Sequence, residues 1–581
     1  MKRNLLSILF LVGIAPAMLG QQLKIDRIEL MPNKPEPYIM RDWKQVAIGY
    51  DSLVYDVTKK GEYLPLTRIT SDVTNFPGRK SYLQYTFVGS TDTLKTESIN
   101  TFMSIVGATL CGVDKTNSFG QNWVLMSEEF FNCKNGLNLY GNRTSAVTGY
   151  DWWYELIPNI LFYQLYALYP EVGNFKEEFT IVADRWLECV KALGGDAEKG
   201  TLPDTNFRAF NFDTMKPLLG SVPEPEAAGA MGWLFYMAYS QTREQKYLDA
   251  AKLCMERFSS FTSNPSYELQ YLYGTINAAR MNAELGTNYD LHKILNWCFD
   301  VGPLRRWQHT LGWGTVVGNW GGMDVSGMMA AISKEGETTW GDFAFIMNAF
   351  QQMGILAPLV RYDDRYARAI GKFLLNSANA NRLFYSKYLP IENQDCAEWS
   401  RKYDPNSYIA YEAVRQYKDG KSPFATGDAV PYGWAETNLS LYSSASVGYL
   451  GGIMEKTNVE AILKFDLLKT DFFHEKGYPS YLFYNPYAVS KKVEICLGSI
   501  SCDVYDAISN KFIAKSVKGK FKFSMPADEA MILVLAPTEG KITEELGQVQ
   551  GVIVHRSPAW FMVDEGKKTL VNGVVIDYNN K

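Results

Sequence analysis

Several chemistries are missing from this sequence. There is no HExxH pair, no GxSxG turn, no P-loop and no EF-hand loop, so the common zinc-protease, serine-hydrolase, nucleotide and calcium signatures are absent. Only four histidines occur, His292, His309, His474 and His555, and of these only His309 stands in a loop of site-like composition. The eight cysteines are scattered singly, without one CxxC pair. Cys189, Cys254 and Cys298 fall on apolar helix faces as buried thiols, whereas Cys496 and Cys502 flank a hairpin pattern and are placed to bridge in an oxidising compartment. The net charge of −5 provides no basic field for nucleic acid or anionic lipid. Past residue 20, no uncharged apolar run is long enough to cross a bilayer.

What is present begins with "MKRNLLSILFLVGIAPAMLGQQ": Lys2 and Arg3, an apolar run from Leu5 to Leu19, and small residues at Ala15, Ala17 and Gly20. This order reads as a signal peptide over residues 1–20, cleaved so that the mature chain starts near Gln21 in the periplasm or outside the cell. No cysteine follows the run to carry a lipid anchor. Aromatics make up 14% of the chain, with 36 Tyr and 14 Trp, more than one core requires. Flat rings with polar edges suit sugar rings.

From Leu23 to about Phe130, "KIDRIELM", "QVAIGYDSLVYDV" and "RKSYLQYTFVGS" alternate apolar and polar residues between turn signals, which predicts an N-terminal β domain. From about Tyr150 to Leu463 the period becomes helical. After Asp466 strand patterns return in "KKVEICLG", "KFKFSMP" and "AMILVLAP", and Asn572-Gly573 signals a hairpin.

One unit recurs in the helical block. Phe179, Ala183 and Trp186 share their spacing with Tyr247, Ala251 and Cys254 and with Tyr366, Ile370 and Phe373, and Leu291, Leu295 and Cys298 repeat it more loosely. Each such amphipathic helix follows a more apolar one after a short turn, so the unit is a helical hairpin. The apolar partners are predicted to start near Asp151, Glu224, Tyr267, Trp340, Asp404 and Trp434. Six hairpins close naturally into a double ring with the apolar helices inside, which removes the need for end caps. The inner helices then run parallel. Their N-termini open on one pit, where free N–H groups favour anions and polar ligands.

Nearly every one of these starts pairs a carboxylate with an aromatic. They include "GYDWWYELIPN" with Asp151, Trp152 and Trp153, "VPEPEAAGAMGW" with Glu224 and Glu226, "TTWGDFAFIMN" with Trp340 and Asp342, and "PYGWAETNLSLYSS" with Trp434 and Glu436. Asp and Glu in a first turn serve the helix dipole on their own, but capping requires no tryptophan beside them. Between 302 and 329 a long loop carries Trp307, Trp313 and Trp320 ahead of Asp324, with Arg305 and Arg306 able to pair a carboxylate or sulfate.

An exported chain of this layout resembles the (α/α)6 glycosidases in architecture and in style of motif, over roughly residues 22–581. The resemblance implies a sugar-binding pit at the inner-helix N-termini, acid and base carboxylates in it, and mostly inverting hydrolysis. One toroid family uses a cysteine nucleophile beside zinc, but this chain lacks a paired Cys-Cys motif, so neither metal nor cofactor is expected. The expected fold is mainly α, an (α/α)6 toroid over residues 131–465, flanked by an N-terminal β-sandwich-like domain over 21–130 and a C-terminal β domain over 466–581.

The expected activity is exo-acting hydrolysis of an oligosaccharide or polysaccharide by two carboxyl groups. Glu226, set among Ala227, Ala228 and aromatic neighbours, takes the part of the acid, because apolar surroundings raise a carboxyl pKa. Asp324, Asp342 and Asp151 are the candidates for the base, and Trp152, Trp153, Glu224, Arg306, Trp320, Trp340, Trp434 and Glu436 for substrate binding. Two other readings fit the same residues: a polysaccharide lyase using Tyr150, His309 and Arg305 or Arg306 on a uronate, and a non-catalytic protein that binds glycan on its tryptophan-rich rim.

Overall fold

The computed structural model describes residues 22–536 apart from 92–95, 221, 267, 305–309, 335, 337–338, 340 and 475–477, and beyond them residue 538 and the backbone of five strands between 541 and 577. Residues 1–20, expected from sequence to be a signal peptide, lie outside this set.

Among the described residues, twelve helices alternate between an outer and an inner layer. In chain order they are α1 (Trp43–Tyr55), α2 (Ser98–Leu110), α3 (Trp123–Ser127), α4 (Trp152–Leu168), α5 (Phe175–Ala192), α6 (Ala227–Thr242), α7 (Gln245–Ser259), α8 (Gln270–Leu285), α9 (Leu291–Trp297), α10 (Ala349–Leu356), α11 (Ala367–Ala380) and α12 (Val447–Ile453). The even-numbered helices form the inner ring. Helix α2 packs on α4, α4 on α6, α6 on α8, α8 on α10, α10 on α12, and α12 back on α2.

Composition sorts the two layers. Helix α10, "AFQQMGIL", is buried along its whole length, and α6 is buried from Ala227 to Ala238, as helices apolar on all sides must be. Helix α7 buries a face through Tyr247, Leu248, Ala251, Cys254, Met255 and Phe258 and turns Lys246, Asp249 and Glu256 outward. Two contacts demand glycine. A Cβ on Gly448 of α12 would lie 2.2 Å from the backbone of Gly107 in α2, and one on Gly229 of α6 would lie 2.8 Å from Cα of Gly274 in α8.

The middle of the ring is filled. Gln164 of α4 and Gln351 of α10 both donate to the Tyr273 hydroxyl of α8, at 2.6 and 2.7 Å, while the Tyr449 hydroxyl of α12 donates to Gln164. At the C-terminal end of the inner helices the segment 467–474 closes the ring: Lys469 donates to the Leu110 carbonyl, Thr470 to that of Gly354, and Arg280 to those of Phe472 and Phe473. The Phe473 ring stacks on Tyr166. The cavity left beneath measures about 20 Å³, room for one water.

Strands occupy two further regions. Between α9 and α12 an antiparallel sheet runs in the order Phe424–Thr426, Ala413–Arg415, Phe343–Phe345, Met329–Ser333, Thr310–Thr315. From Met454 to Ala536 a six-stranded sheet follows, with Ala530–Ala536 third from one edge and packed on α11. That strand, "AMILVLA", is apolar on both faces because it serves two cores: Ile532 and Val534 join the ring's core, Met531 and Leu533 a second cluster with Phe483, Val493 and Phe523. Farther on, Lys568–Val571 and Val574–Asp577 pair antiparallel with Val571 opposite Val574.

Three expectations need correction. The N-terminal β-sandwich-like domain over 21–130 is absent from the described residues, which place helices α1, α2 and α3 there, all parts of the double ring, and only a two-stranded ribbon, Thr67–Thr70 with Ser81–Gln84. "QVAIGYDSLVYDV" also fits a helical period, with Val46, Ala47, Tyr50, Leu53 and Val54 buried, and the ring's need for closing helices decides the ambiguity. The inner helices expected near Trp340, Asp404 and Trp434 are displaced: α10 starts at Ala349, a helix ends at Tyr403, and α12 starts at Val447. Cys496 and Cys502 are unbridged, and they pair with Lys520 and Val517 on different strands.

Candidate active site

The starts of four inner helices share one face. Asp151 caps α4, its Oδ1 accepting the Tyr154 N–H at 3.0 Å, and its Oδ2 accepts from Arg208 at 2.9 Å. Arg208 also pairs with Glu224 at the mouth of α6 (2.9 Å), and Glu224 accepts from Gln270 of α8 at 3.2 Å. Glu226 accepts the N–H of Glu268, just ahead of α8, at 3.1 Å. Pro223 and Pro225 set the turn that brings Glu224 and Glu226 together.

This cluster is sealed. Glu224 and Glu226 are fully buried, and Glu268 is nearly so. Burial first, then the neighbouring Glu226 and Asp151, push the Glu224 carboxyl up, while its ion pair with Arg208 pulls it down.

Beside it, between the starts of α2 and α4, opens a cleft of about 290 Å³ lined by Glu97, Asn142, Arg143, Tyr150, Tyr154 and Glu155 among others. Glu155 points into it from the first turn of α4, with Oε1 accepting the N–H groups of Gly149 (2.5 Å) and Tyr150 (3.2 Å). Those bonds favour the anion, but burial outweighs them and lifts the carboxyl to about 8. Burial thus favours the protonated form of Glu155, and Oε2 is the oxygen left clear of the two backbone bonds. Glu97 faces the same cleft from the N-terminus of α2. It is half-buried, makes no cap bond to its own helix, and accepts from Asn142 Nδ2 at 3.0 Å. The positive end of the helix dipole suits its carboxylate.

The other expected site residues are dispersed. Trp152 is buried with its indole N–H on the Phe207 carbonyl, and Trp153 donates to the Tyr442 hydroxyl, so both are built into the walls. Asp324 accepts the Ser326 N–H at 2.8 Å, donates its own N–H to the Glu36 carbonyl and has Arg382 as its charged neighbour. Trp320, on the same short hairpin, is buried. Asp342 accepts the Ser333 N–H at 2.7 Å and is tied through its backbone to Gln416. Neither Asp324 nor Asp342 lines the cleft that holds Glu155. Burial raises both carboxyls. Trp434 is exposed, and Glu436 beside it is exposed with its N–H on the Gly89 carbonyl. Arg306 and Trp340, with Arg305, Trp307 and His309, lie outside the described residues.

Glu97, Arg208 and Glu268 escaped the sequence reading. Glu97 carried a usable signal, since it directly precedes the apolar run "SINTFMSIVGATL" as Glu226 precedes "AAGAMGWLFYM". Among the described residues, no group of three or more His, Cys, Asp or Glu is arranged to hold a metal ion, and no helix is long and apolar enough to cross a membrane.

No protein-family model matches the chain, and no curated protein matches its sequence. Among solved structures it is similar to a mutant of unsaturated glucuronyl hydrolase from Streptococcus agalactiae, at 11% identity over 74% of this chain and 96% of that one, TM-score 0.32. It is similar to a glycoside hydrolase at 8% identity, over 82% of this chain and 83% of the other, TM-score 0.35. A GH127 β-L-arabinofuranosidase from Geobacillus stearothermophilus T6 is similar at 11% identity, over 92% of this chain and 80% of its own, TM-score 0.26.

Proposed function

We propose that this chain is an exported glycoside hydrolase working in the cleft between α2 and α4, with Glu155 as general acid and Glu97 as the opposing carboxylate. The observation that carries the reading is that two carboxyl groups line one open cleft, Glu97 at the start of α2 and Glu155 in the first turn of α4, the latter held by the Gly149 and Tyr150 N–H groups and raised by burial. Glu155 gives its Oε2 proton to the glycosidic oxygen as the C–O bond breaks, and Glu97 takes a proton from the water that attacks the anomeric carbon. Inverting hydrolysis requires about 6.5–9.5 Å between the two carboxyl groups, room for the attacking water. Exposed Tyr150 and Tyr154 at the mouth offer ring faces to sugar. In this reading Glu226, taken from sequence as the acid, supports the wall behind the cleft.

The test is a screen for sugar release from neutral and acidic oligosaccharides with the wild-type chain and Glu155→Gln. Glu155→Gln is expected to lose on the order of 10²-fold or more in turnover of natural substrates, and much less on aryl glycosides whose leaving group needs no proton. Equal activity of Glu155→Gln on a natural oligosaccharide removes Glu155 from the acid role. An unsaturated product in place of a reducing sugar points to elimination.

A further inference from the structure

We infer that Tyr432 and Trp434 form a second sugar-binding platform, tethered close to the start of α2, which holds a polysaccharide chain beyond the catalytic cleft. The inference rests on the glycosidase reading for its choice of ligand. The two rings stack with centroids 5.2 Å apart and planes 21° from parallel, yet Tyr432 is 68% and Trp434 51% exposed. A pair of large rings left this open marks a contact surface more often than a folding device.

The loop that presents them is braced from below. The half-buried Glu412 carboxylate accepts the Asp428 N–H at 2.7 Å, and Asn438 Oδ1 accepts that of Val430 at 3.0 Å. The Trp434 N–H turns back to the Ala429 carbonyl at 2.8 Å, and its own carbonyl accepts both the N–H and the hydroxyl of Thr91, each at 3.0 Å. A rigid aromatic ledge loses little freedom on binding.

Two observations select the ligand. The tip, "VPYGW", bears no charge, which suits a neutral sugar face and offers nothing to a phosphate. The ledge is also tethered to the site: Thr91, bonded to Trp434, stands six residues before Glu97, so the chain limits the Cα separation of Thr91 and Glu97 to about 22 Å. A glycan of several rings can touch both at once.

The experiment is native affinity electrophoresis of the full chain in gels cast with arabinogalactan, pectic galactan, arabinan or xyloglucan. It compares wild type, Glu155→Gln, Trp434→Phe and the double variant Tyr432→Ala/Trp434→Ala, with gel filtration and a thermal melt on each. Wild type and Glu155→Gln are expected to be slowed in at least one gel. The double variant should lose about tenfold in affinity there with an unchanged melt, while Trp434→Phe keeps most of the retardation. The platform is overturned if none of the gels slows the wild type, or if the double variant is slowed as much. A double variant that only shifts from dimer to monomer on gel filtration would assign the rings to a second copy of the chain and likewise overturn it. Loss of hydrolysis with retained retardation in Glu155→Gln separates the two proposals.

Discussion

The N–H of Gly149 lies 2.5 Å from Oε1 of Glu155, and Gly149 reaches it with a φ of +100° that a side chain would resist. A Cβ at that position would also come 2.5 Å from Leu218. The acid of the cleft is thus oriented by a backbone bend that glycine alone takes without strain.

The pH dependence follows from that carboxyl. Glu155 must be protonated to act, so kcat/KM is expected to fall as pH rises through about 8, and a pH–rate profile checks the limb. Stability moves with it. The folded chain keeps a proton on Glu155 that the unfolded chain releases near 4.5, so between about 4.5 and 8 the native state binds more protons, and its stability falls as pH rises across that window. In Glu155→Gln this component should vanish from melts taken at pH 5 and pH 8.

Glu226→Gln separates the buried cluster from the cleft. Turnover should stay within about tenfold of wild type, against the loss of ~10²-fold or more expected at Glu155. Removing the neighbour that helps raise Glu224 lowers that carboxyl toward its ordinary range. The pH-dependent loss of stability from Glu224 then shrinks, so the melting temperature of Glu226→Gln relative to wild type should rise from pH 5 to pH 9. A turnover loss equal to that of Glu155→Gln would return Glu226 to the acid role.

Gly448→Ala tests the ring closure. The added methyl has the Gly107 backbone 2.2 Å away and no flexible side chain to displace, so a cost of about 3 kcal/mol or more is expected from overpacking. Urea unfolding measures it, and an unchanged midpoint would mean that α2 and α12 do not meet as described.

The hairpins from Trp152 to Ala380 were largely legible because α4 and α6 are apolar almost throughout while α5 and α7, which follow them, are striped, a contrast that survives without any tertiary information. Helix α2 was not, because the same contrast sits in a stretch whose other segments alternate like strands. Helix α12, "VGYLGGI", was unreadable for the opposite reason: its glycines argue against a helix by propensity, and only the close approach to α1 and α2 makes them fit. At the site, the carboxylates of α4 and α6 were visible as first-turn residues. Which of them meets solvent was not, since that depends on how Arg208 and Gln270 reach across from other elements and close over Glu224.

The seam between α2 and α12 also sets an order of events during synthesis. Helix α2, among the first to be made, must wait for α12, some 340 residues later, before its glycine face is covered. Until then the nascent chain is an open arc with an apolar inner wall, the kind of intermediate that needs protection from aggregation. A chain stopped before Val447 should accordingly remain protease-sensitive within α2, and one that runs on through the closing segment 467–474 should not.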